Sequence, residues 1–192
     1  MTIFICGVPR TGKTTLSKML KEKVSNSNLI VTEAIRNGFQ KIDEIHLKEW
    51  GTKTSEQRQT IFPIFVKEFL DWNEKFSSST TILDCGLIEL KQIEKLVDEK
   101  DIVICLGFGG RENEEIFSYI RQYEKENDYT KTYANETLTK FWGDLSTTDK
   151  DNFNFCKSKN IEYFDTTVNR DKVQMKIVKY ITDKICCENK DY

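Results

Sequence analysis

A glycine-rich loop follows the first apolar run of the chain and constrains its fold more than any other stretch. Residues 2–6 are Thr-Ile-Phe-Ile-Cys, and residues 7–15 are Gly-Val-Pro-Arg-Thr-Gly-Lys-Thr-Thr. The second segment fits the phosphate-binding pattern of Gly, four residues, Gly, Lys, then Ser or Thr. Apolar residues then recur at helical spacing, at Leu16, Met19, Leu20 and Val24. The sequence therefore predicts a strand, a phosphate-binding loop and a helix in succession.

The residue types of this loop suit a nucleoside triphosphate. Gly7 and Gly12 permit backbone conformations and close approaches that a side chain would obstruct. The N–H groups of the loop and of the helix N-terminus would face an anion, which the helix dipole favours. Lys13 would reach the β- and γ-phosphates, and the hydroxyl of Thr14 would bind Mg²⁺. The predicted nucleotide-binding residues of the loop are Gly7, Pro9, Arg10, Thr11, Gly12, Lys13, Thr14 and Thr15.

Length, charge and cysteine usage limit the other functions that the chain could have. Its 192 residues suffice for one buried α/β domain with a small inserted lid. Because 29 Lys and Arg nearly balance 31 Asp and Glu, we expect no nucleic-acid partner. We find no apolar run of about 18 residues and no leader-like N-terminus, so we expect no membrane partner. The six cysteines form no CxxC pair, and we expect reduced thiols in a cytoplasmic protein.

Short apolar runs alternate with helical patterns along the chain, which is typical of a parallel sheet covered on both faces. The five predicted strands are residues 2–6, 28–32, 80–84, 101–106 and 161–164. We therefore predict a single domain over residues 1–192. Its fold class is α/β, a three-layer α/β/α P-loop NTPase fold with a five-stranded parallel sheet and a small helical lid.

One helical pattern before the third strand is rich in aromatic residues. Aromatic residues at helical spacing belong to a core far more often than to a ligand platform, so we expect this stripe in the core. Pro63 should start or kink the helix. The stripe consists of Ile61, Phe62, Phe65, Phe69, Trp72 and Phe76. The apolar residues of a last helix, from Val173 to Ile185, could pack internally or at a dimer surface.

Two polar segments interrupt the pattern of strands and helices. Residues 34–76 include the mixed, polar stretch 38–54, and we expect this segment to cover the phosphoryl acceptor. Residues 111–150 are highly charged and follow the fourth strand directly. They form either a solvated helical face or a mobile lid that closes basic side chains over phosphates.

Ligands of open parallel sheets lie at the carboxyl ends of the strands. Asp84 ends the third strand, where it could hold Mg²⁺, directly or through water, or orient an acceptor hydroxyl. Its alternative role is that of a turn-forming aspartate. Glu33 and Arg36 follow the second strand and would share one face of a helical turn. Glu33 could bind a substrate hydroxyl and Arg36 a phosphate or carboxylate, with a surface ion pair between them as the alternative.

Several of these features together resemble the adenylate kinase-like branch of P-loop kinases. They are the loop at residues 7–14, the Glu33 and Arg36 pair, the segment Leu83-Asp84-Cys85-Gly86 and the basic stretch after the fourth strand. That branch often has Asp-x-x-Arg where this chain has Glu33 and Arg36, and Leu-Asp-Gly where Cys85 intervenes here. Residues 87–89, Leu-Ile-Glu, stand where adenylate kinases have Phe-Pro-Arg, which weakens the case for a nucleoside monophosphate acceptor.

Two later segments carry the same resemblance. Residues 120–130 look like the lid helix of small bacterial kinase-like proteins, and Arg121 is the best candidate for a lid arginine, followed by Arg111. Residues 163–167, with Asn169 and Arg170, resemble the last strand and the adenine-side loop, which implies that Thr166 contacts nucleotide.

The resemblance implies an ATP-dependent kinase that acts on a small molecule, with nucleotides and nucleosides among the candidates. Lys13 and the loop would hold the ATP phosphates, Thr14 and Asp84 would hold Mg²⁺, and Arg121 would neutralise charge on the transferred phosphoryl group. The implied catalytic residues are Lys13, Asp84 and Arg121, Arg111 and Thr166 would bind nucleotide, and Glu33 and Arg36 would face the acceptor. The alternative is a nucleotide-dependent switch or regulatory ATPase without a small acceptor.

Overall fold

Five parallel strands form one sheet in a computed structural model that describes residues 1–42, 55–124, 126 and 130–188. The strands are β1 (Thr2–Gly7), β2 (Ser27–Val31), β3 (Thr80–Asp84), β4 (Ile102–Gly107) and β5 (Glu162–Asp165). Their order is β2-β3-β1-β4-β5, and every neighbouring pair is parallel. Each strand lies within one residue of its predicted bounds, so the predicted five-stranded parallel sheet is confirmed.

Helices cover both faces of this sheet. They are α1 (Lys13–Lys23), α2 (Thr32–Ile42), α3 (Ser55–Phe76), α4 (Leu90–Ile93), α5 (Asn113–Gln122), α6 (Asn135–Trp142), α7 (Leu145–Lys159) and α8 (Arg170–Glu188). Ile3 and Ile5 of β1 pack against α1 and α8, whereas Phe4 and Cys6 pack against α3, α4 and α7. Successive side chains of a strand point to opposite faces, so β1 is buried on both sides. The three-layer α/β/α fold is thereby confirmed.

The aromatic stripe of α3 lies mostly outside the core, and the prediction that it is buried was wrong. Phe62 is buried, and it packs toward the sheet together with Val66 and Leu70, one and two turns further along. The other five members of the stripe are 39% to 72% exposed: Ile61, Phe65, Phe69, Trp72 and Phe76. Two neighbouring faces of α3 are apolar, and helical spacing alone does not show which of them meets the sheet. Pro63 lies inside the helix rather than at its start.

A row of four buried cysteines crosses the core beneath the phosphate loop. Cys6 of β1 lies beside Cys105 of β4 in the sheet register. The thiol of Cys6 lies close to that of Cys85, and the thiol of Cys105 lies close to that of Cys156. The neighbouring thiol and burial raise the pKa of the Cys6 and Cys105 thiols, so both behave as small apolar residues.

The predicted lid at residues 111–150 contains α5, α6 and the start of α7. These helices share an apolar cluster with Val8 of the phosphate loop, formed by Phe108, Ile116, Phe117, Leu138 and Leu145 among others. The predicted acceptor-covering segment at residues 34–76 includes residues 43–54, which lie outside the described residues. Within the described ranges, no helix has the length and apolar character needed to span a membrane.

Candidate active site

The loop between β1 and α1 has the backbone geometry that its glycines predict. Gly7 has a φ of 129°, and a Cβ atom there would lie 2.0 Å from the carbonyl oxygen of Leu106 on the neighbouring strand. Gly12 has a φ of 92° and directly precedes α1. Side chains at either position would be strained, because L-residues rarely adopt a positive φ. The glycines thus let the loop turn tightly from β1 into the helix N-terminus.

The side-chain ammonium of Lys13, the first residue of α1, lies at the centre of this loop. Its Nζ donates hydrogen bonds to the carbonyl oxygens of Gly7 at 3.0 Å and Val8 at 2.9 Å. The hydroxyl of Thr11 donates to the same Val8 carbonyl at 2.9 Å. The loop therefore wraps around the Lys13 ammonium, which is placed beside the helix N-terminus as a fixed positive charge for an anion.

Asp84 meets the first turn of α1 from the end of β3. The hydroxyl of Thr14 donates to Oδ2 of Asp84 at 2.7 Å, and Asp84 is fully buried. Its other carboxylate oxygen, Oδ1, has no hydrogen-bond partner among the described residues. Burial raises the pKa of Asp84, and the charge of Glu33 adds to this, while the Thr14 hydrogen bond and Lys13 oppose it.

A divalent cation fits this pair of residues. Mg²⁺ binds carboxylate and hydroxyl oxygens and is commonly held by one or two carboxylates plus the phosphates of a nucleotide. A buried carboxylate oxygen without a partner is costly, and a cation would remove that cost. Thr14 and Asp84 are therefore the residues of this chain that would hold Mg²⁺.

Glu33 is the second carboxylate at this edge of the sheet. Its side chain lies over Gly86, where an added Cβ would be 1.7 Å from its Oε1. The hydroxyl of Thr32 donates to the backbone carbonyl of Asp84 at 2.9 Å and holds the start of α2 against the end of β3. The structure thus places Glu33 close to Asp84, at the edge of the sheet that the rule for strand ends predicts.

Arg36 does not pair with Glu33, although both residues lie in the described part of the chain. Its Nη2 donates to Oδ1 of Asn37 at 3.2 Å, and its Nε is buried without a partner among the described residues. The surface ion pair that was the alternative for these two residues is therefore absent. A role for Arg36 toward an acceptor stays a prediction.

Arg121 and Arg111 lie in the helical segment that packs on the loop. Arg121 donates to Glu124 at 2.9 Å and to the carbonyl of Thr130 at 2.8 Å, and it also donates to the carbonyl of Tyr133. These bonds tie together the connection between α5 and α6. Arg111 lies 3.9 Å from Asp165 at the end of β5. The proposed contacts of both arginines with phosphate stay predictions.

Asp149 of α7 organises the turn after β4, and the sequence analysis did not identify it. Its carboxylate accepts the N–H groups of Phe108 at 3.1 Å and Gly110 at 2.9 Å, and the hydroxyl of Tyr163 at 2.8 Å. The Tyr163 oxygen in turn accepts the N–H of Gly109 at 3.0 Å. Burial raises the pKa of both Asp149 and Tyr163. This network fixes residues 108–110 beside the phosphate loop.

Arg170, at the start of α8, buttresses the loop from its other side. Its Nη2 donates to the carbonyl of Arg10 at 2.7 Å, and its guanidinium carbon lies 3.9 Å from the ring centroid of Tyr123. The sequence predicts no separate role for Arg170, which is named only as part of the last segment that resembles kinases. Thr166, predicted to contact nucleotide, is fully buried, and its hydroxyl donates to the carbonyl of Gly107 at 3.0 Å.

A cavity of about 440 Å³ lies directly beside the phosphate loop. The loop lines it through Gly7, Val8 and Pro9, and the chain after β3 lines it through residues 85–91. The remaining described lining comes from Thr148, Asp151 and Asn152 of α7. The cavity thus joins the loop to the segment that directly follows Asp84.

Comparison with known proteins shows which fold this arrangement shares. A shikimate kinase from Bacteroides thetaiotaomicron has a TM-score of 0.53 at 16% identity, over 96% of this chain and 98% of that chain. Deoxyadenosine kinase from M. mycoides, solved with the products dCMP and a flexible dCDP bound, has a TM-score of 0.53 at 16% identity, over 97% and 100%. The tunicamycin resistance protein of Deinococcus radiodurans has a TM-score of 0.57 at 12% identity, over 96% and 94%.

No protein-family model matches this sequence, and the comparison with curated proteins gives no match. At identities this low, the similarity to the solved structures is a similarity of fold. Together with the loop around Lys13 and the order of the parallel strands, it shows that the chain has the fold of the P-loop kinases.

Proposed function

We propose that this chain is an ATP-dependent kinase that transfers a phosphoryl group to a small molecule. The observation that carries the proposal is the hydrogen bond of 2.7 Å between Thr14 and the buried carboxylate of Asp84, beside the ammonium of Lys13. A positive charge, a hydroxyl and a carboxylate with a free oxygen are the groups that a magnesium nucleotide requires.

The residues around the loop would divide the work of phosphoryl transfer. Lys13 and the N–H groups at the start of α1 would hold the phosphates. Mg²⁺, held by Thr14 and Asp84, would offset the negative charge of those phosphates. Glu33, next to Asp84, would orient the hydroxyl of the acceptor and accept its proton. Arg111 and Arg121 are the candidates to stabilise charge on the transferred group.

Two features favour transfer to an acceptor over hydrolysis. The helical segment of residues 111–150 packs on the loop through Val8, so it is positioned to shield a transferred group from water. The cavity beside the loop offers room for a second substrate next to the phosphates.

The free cysteines fit the reducing, cytoplasmic setting that we propose for the enzyme.

Nucleotide binding is tested by thermal unfolding with and without Mg-ATP. A ligand that binds the native state alone raises stability by about 2.7 kcal/mol at a hundredfold excess over its Kd. We expect such a rise for the native sequence and its loss in Lys13→Ala. Lys18→Ala is the matched control, because Lys18 is an exposed lysine on the same helix. Normal ATP-dependent turnover in Lys13→Ala would contradict the proposal.

Acceptor dependence separates a kinase from a regulatory ATPase. We expect ATP consumption to be negligible until a suitable small molecule is added, because a kinase that excludes water does not hydrolyse ATP rapidly. If ATP is hydrolysed at the same rate whether or not any of the compounds is added, the result would favour a nucleotide-dependent switch or regulatory ATPase instead.

A further inference from the structure

We infer that the acceptor binds in the cavity beside the phosphate loop and is an uncharged or positively charged molecule with hydroxyl or amino groups. This inference rests on the proposed kinase activity and specifies its substrate class. It excludes acceptors that present a phosphate or a carboxylate to this cavity. The supporting observations are the position of the cavity, the charge of its lining and the free polar groups within it.

The position of the cavity suits an acceptor. Its lining includes Gly7 and Pro9 of the phosphate loop and residues 85 and 86, which follow Asp84 without interruption. Glu33 lies over Gly86 at the same place. A molecule in the cavity would therefore lie against both the loop that holds the phosphates and the segment that directly follows Asp84.

The charge of the lining disfavours an anion. Among the described residues, the charged side chains of the lining are the carboxylates of Glu89 and Asp151 and the ammonium of Lys91. Carboxylates thus outnumber ammonium groups in this lining. Asp84 and Glu33 lie nearby with two further carboxylates, and the ammonium of Lys13 is held by the carbonyls of Gly7 and Val8 in the phosphate loop. No arginine belongs to the described lining, and like charges brought together at a binding site oppose association.

The lining also offers polar groups that are free to bind a ligand. The side chains of Glu89, Asp151 and Asn152 make no hydrogen bond with any described residue. The carboxylate of Asp149, on the same helix as the latter two, instead accepts three donors. Carboxylate and amide oxygens accept hydrogen bonds from hydroxyl and amino groups. A volume of about 440 Å³ falls within the range of small-molecule sites and suits a ligand about as large as a nucleoside or a sugar.

Matched pairs of compounds test the charge of the acceptor. Thermal unfolding is measured with Mg²⁺ and a non-hydrolysable ATP analogue, with nucleosides against their 5′-monophosphates, and with glucose and glucosamine against glucose 6-phosphate and gluconate. We expect a further rise in unfolding temperature from an uncharged or amino member of a pair and none from its anionic partner. Comparison of the nucleosides with the sugars shows which of these two classes of hydroxyl compound binds in the cavity.

The possible results separate the inference from the proposed function. A larger rise from a phosphate or carboxylate compound, or none from any uncharged or amino compound, overturns the inference and leaves nucleotide binding intact. No rise from the ATP analogue itself overturns the proposed function and the inference with it.

A substitution in the cavity tests the location. Asn152→Phe would fill part of the cavity, and we expect at least a tenfold weaker affinity for the most stabilising compound of the panel, with an unchanged response to the ATP analogue. Asn154→Phe is the matched control, since Asn154 is exposed on the same helix and is not part of the lining. Equal acceptor affinity in the two variants overturns the location.

Discussion

The hydroxyl of Tyr163 and the carboxylate of Asp149 lie 2.8 Å apart beneath the turn that joins β4 to α5. Between them, these two side chains accept the N–H groups of Phe108, Gly109 and Gly110. The turn thus obtains its hydrogen bonds from α7 and β5 rather than from its own segment. Because Leu106, just before this turn, pairs with Gly7, the network also supports the phosphate loop.

The Asp149 carboxylate should make the stability of the protein depend on pH. Burial raises its pKa in the folded state above the ordinary value of 3.8, so the folded protein binds more protons than the unfolded chain in the range just above that value. The contribution of this group to the free energy of unfolding therefore decreases as pH rises through that range.

Asp149→Asn should remove this dependence and should cost about 1–3 kcal/mol, because its amide would face the N–H donors of the turn. Urea denaturation of both proteins from about pH 4 to about pH 7 measures the effect. We expect the difference, native sequence minus variant, to decrease as pH rises. Asp171→Asn, on an exposed residue of α8, is the control. Parallel curves for the native sequence and Asp149→Asn would contradict the expectation.

Two phenylalanines of α3 should differ greatly in their contribution to stability. Phe62 is 5% exposed and packs against the sheet, so Phe62→Ala should lower the free energy of unfolding by about 3–5 kcal/mol. Phe76 is 72% exposed and stacks on Trp72, so Phe76→Ala should cost less than about 1 kcal/mol. Urea denaturation measures both values, and similar costs would mean that the outer face of α3 is covered in solution.

Alanine at two glycines should have opposite effects. Gly38 lies inside α2, and a Cβ atom there would meet no atom of the described residues within 4 Å, so Gly38→Ala should stabilise the protein by about 0.5–1 kcal/mol. Gly7→Ala would place a Cβ atom against the Leu106 carbonyl, and we expect lower stability and the loss of stabilisation by Mg-ATP. Thermal unfolding with and without Mg-ATP measures both, and an unchanged response in Gly7→Ala would refute this account of the loop.

Arg170 should support nucleotide binding through the loop. Arg170→Lys removes the planar group that lies over Tyr123 and donates to the Arg10 carbonyl, so we expect about tenfold weaker ATP affinity, or about 1.4 kcal/mol. Lys172→Arg makes the reverse exchange at an exposed position of the same helix and should leave affinity unchanged. Titration calorimetry measures both, and equal affinities would limit Arg170 to a role in packing.

The sheet and the phosphate loop were predictable because their information is local. Each strand is a short apolar run next to a turn, and the loop pattern specifies a strand before it and a helix after it. The buried face of α3 was not predictable, because Phe62 and Phe65 both belong to apolar rows at helical spacing. The choice between those rows depends on the packing of α3 against the sheet, which is tertiary information.

The same distinction applies to the site. Asp84 and Glu33 were predicted to lie in the site because Asp84 ends one predicted strand and Glu33 follows another, and the ends of parallel strands meet at one edge. Asp149 looks like any charged residue in a solvent-facing helix until its partners are known, of which Phe108 lies 41 residues earlier in the chain. Arg170 likewise acts on Arg10 across 160 residues. Contacts over such separations leave no pattern in a single sequence.

The rate at which the four buried thiols react measures how often the core opens. Cys6, Cys85, Cys105 and Cys156 lie between the sheet and its covering helices, whereas Cys186 and Cys187 are exposed near the end of α8. A thiol reagent should therefore label Cys186 and Cys187 immediately. It should label the four buried cysteines only at the rate at which the covering helices separate from the sheet. Since Cys6 directly precedes Gly7, a nucleotide on the loop should slow the second phase, so labelling kinetics would report ligand binding without any added probe.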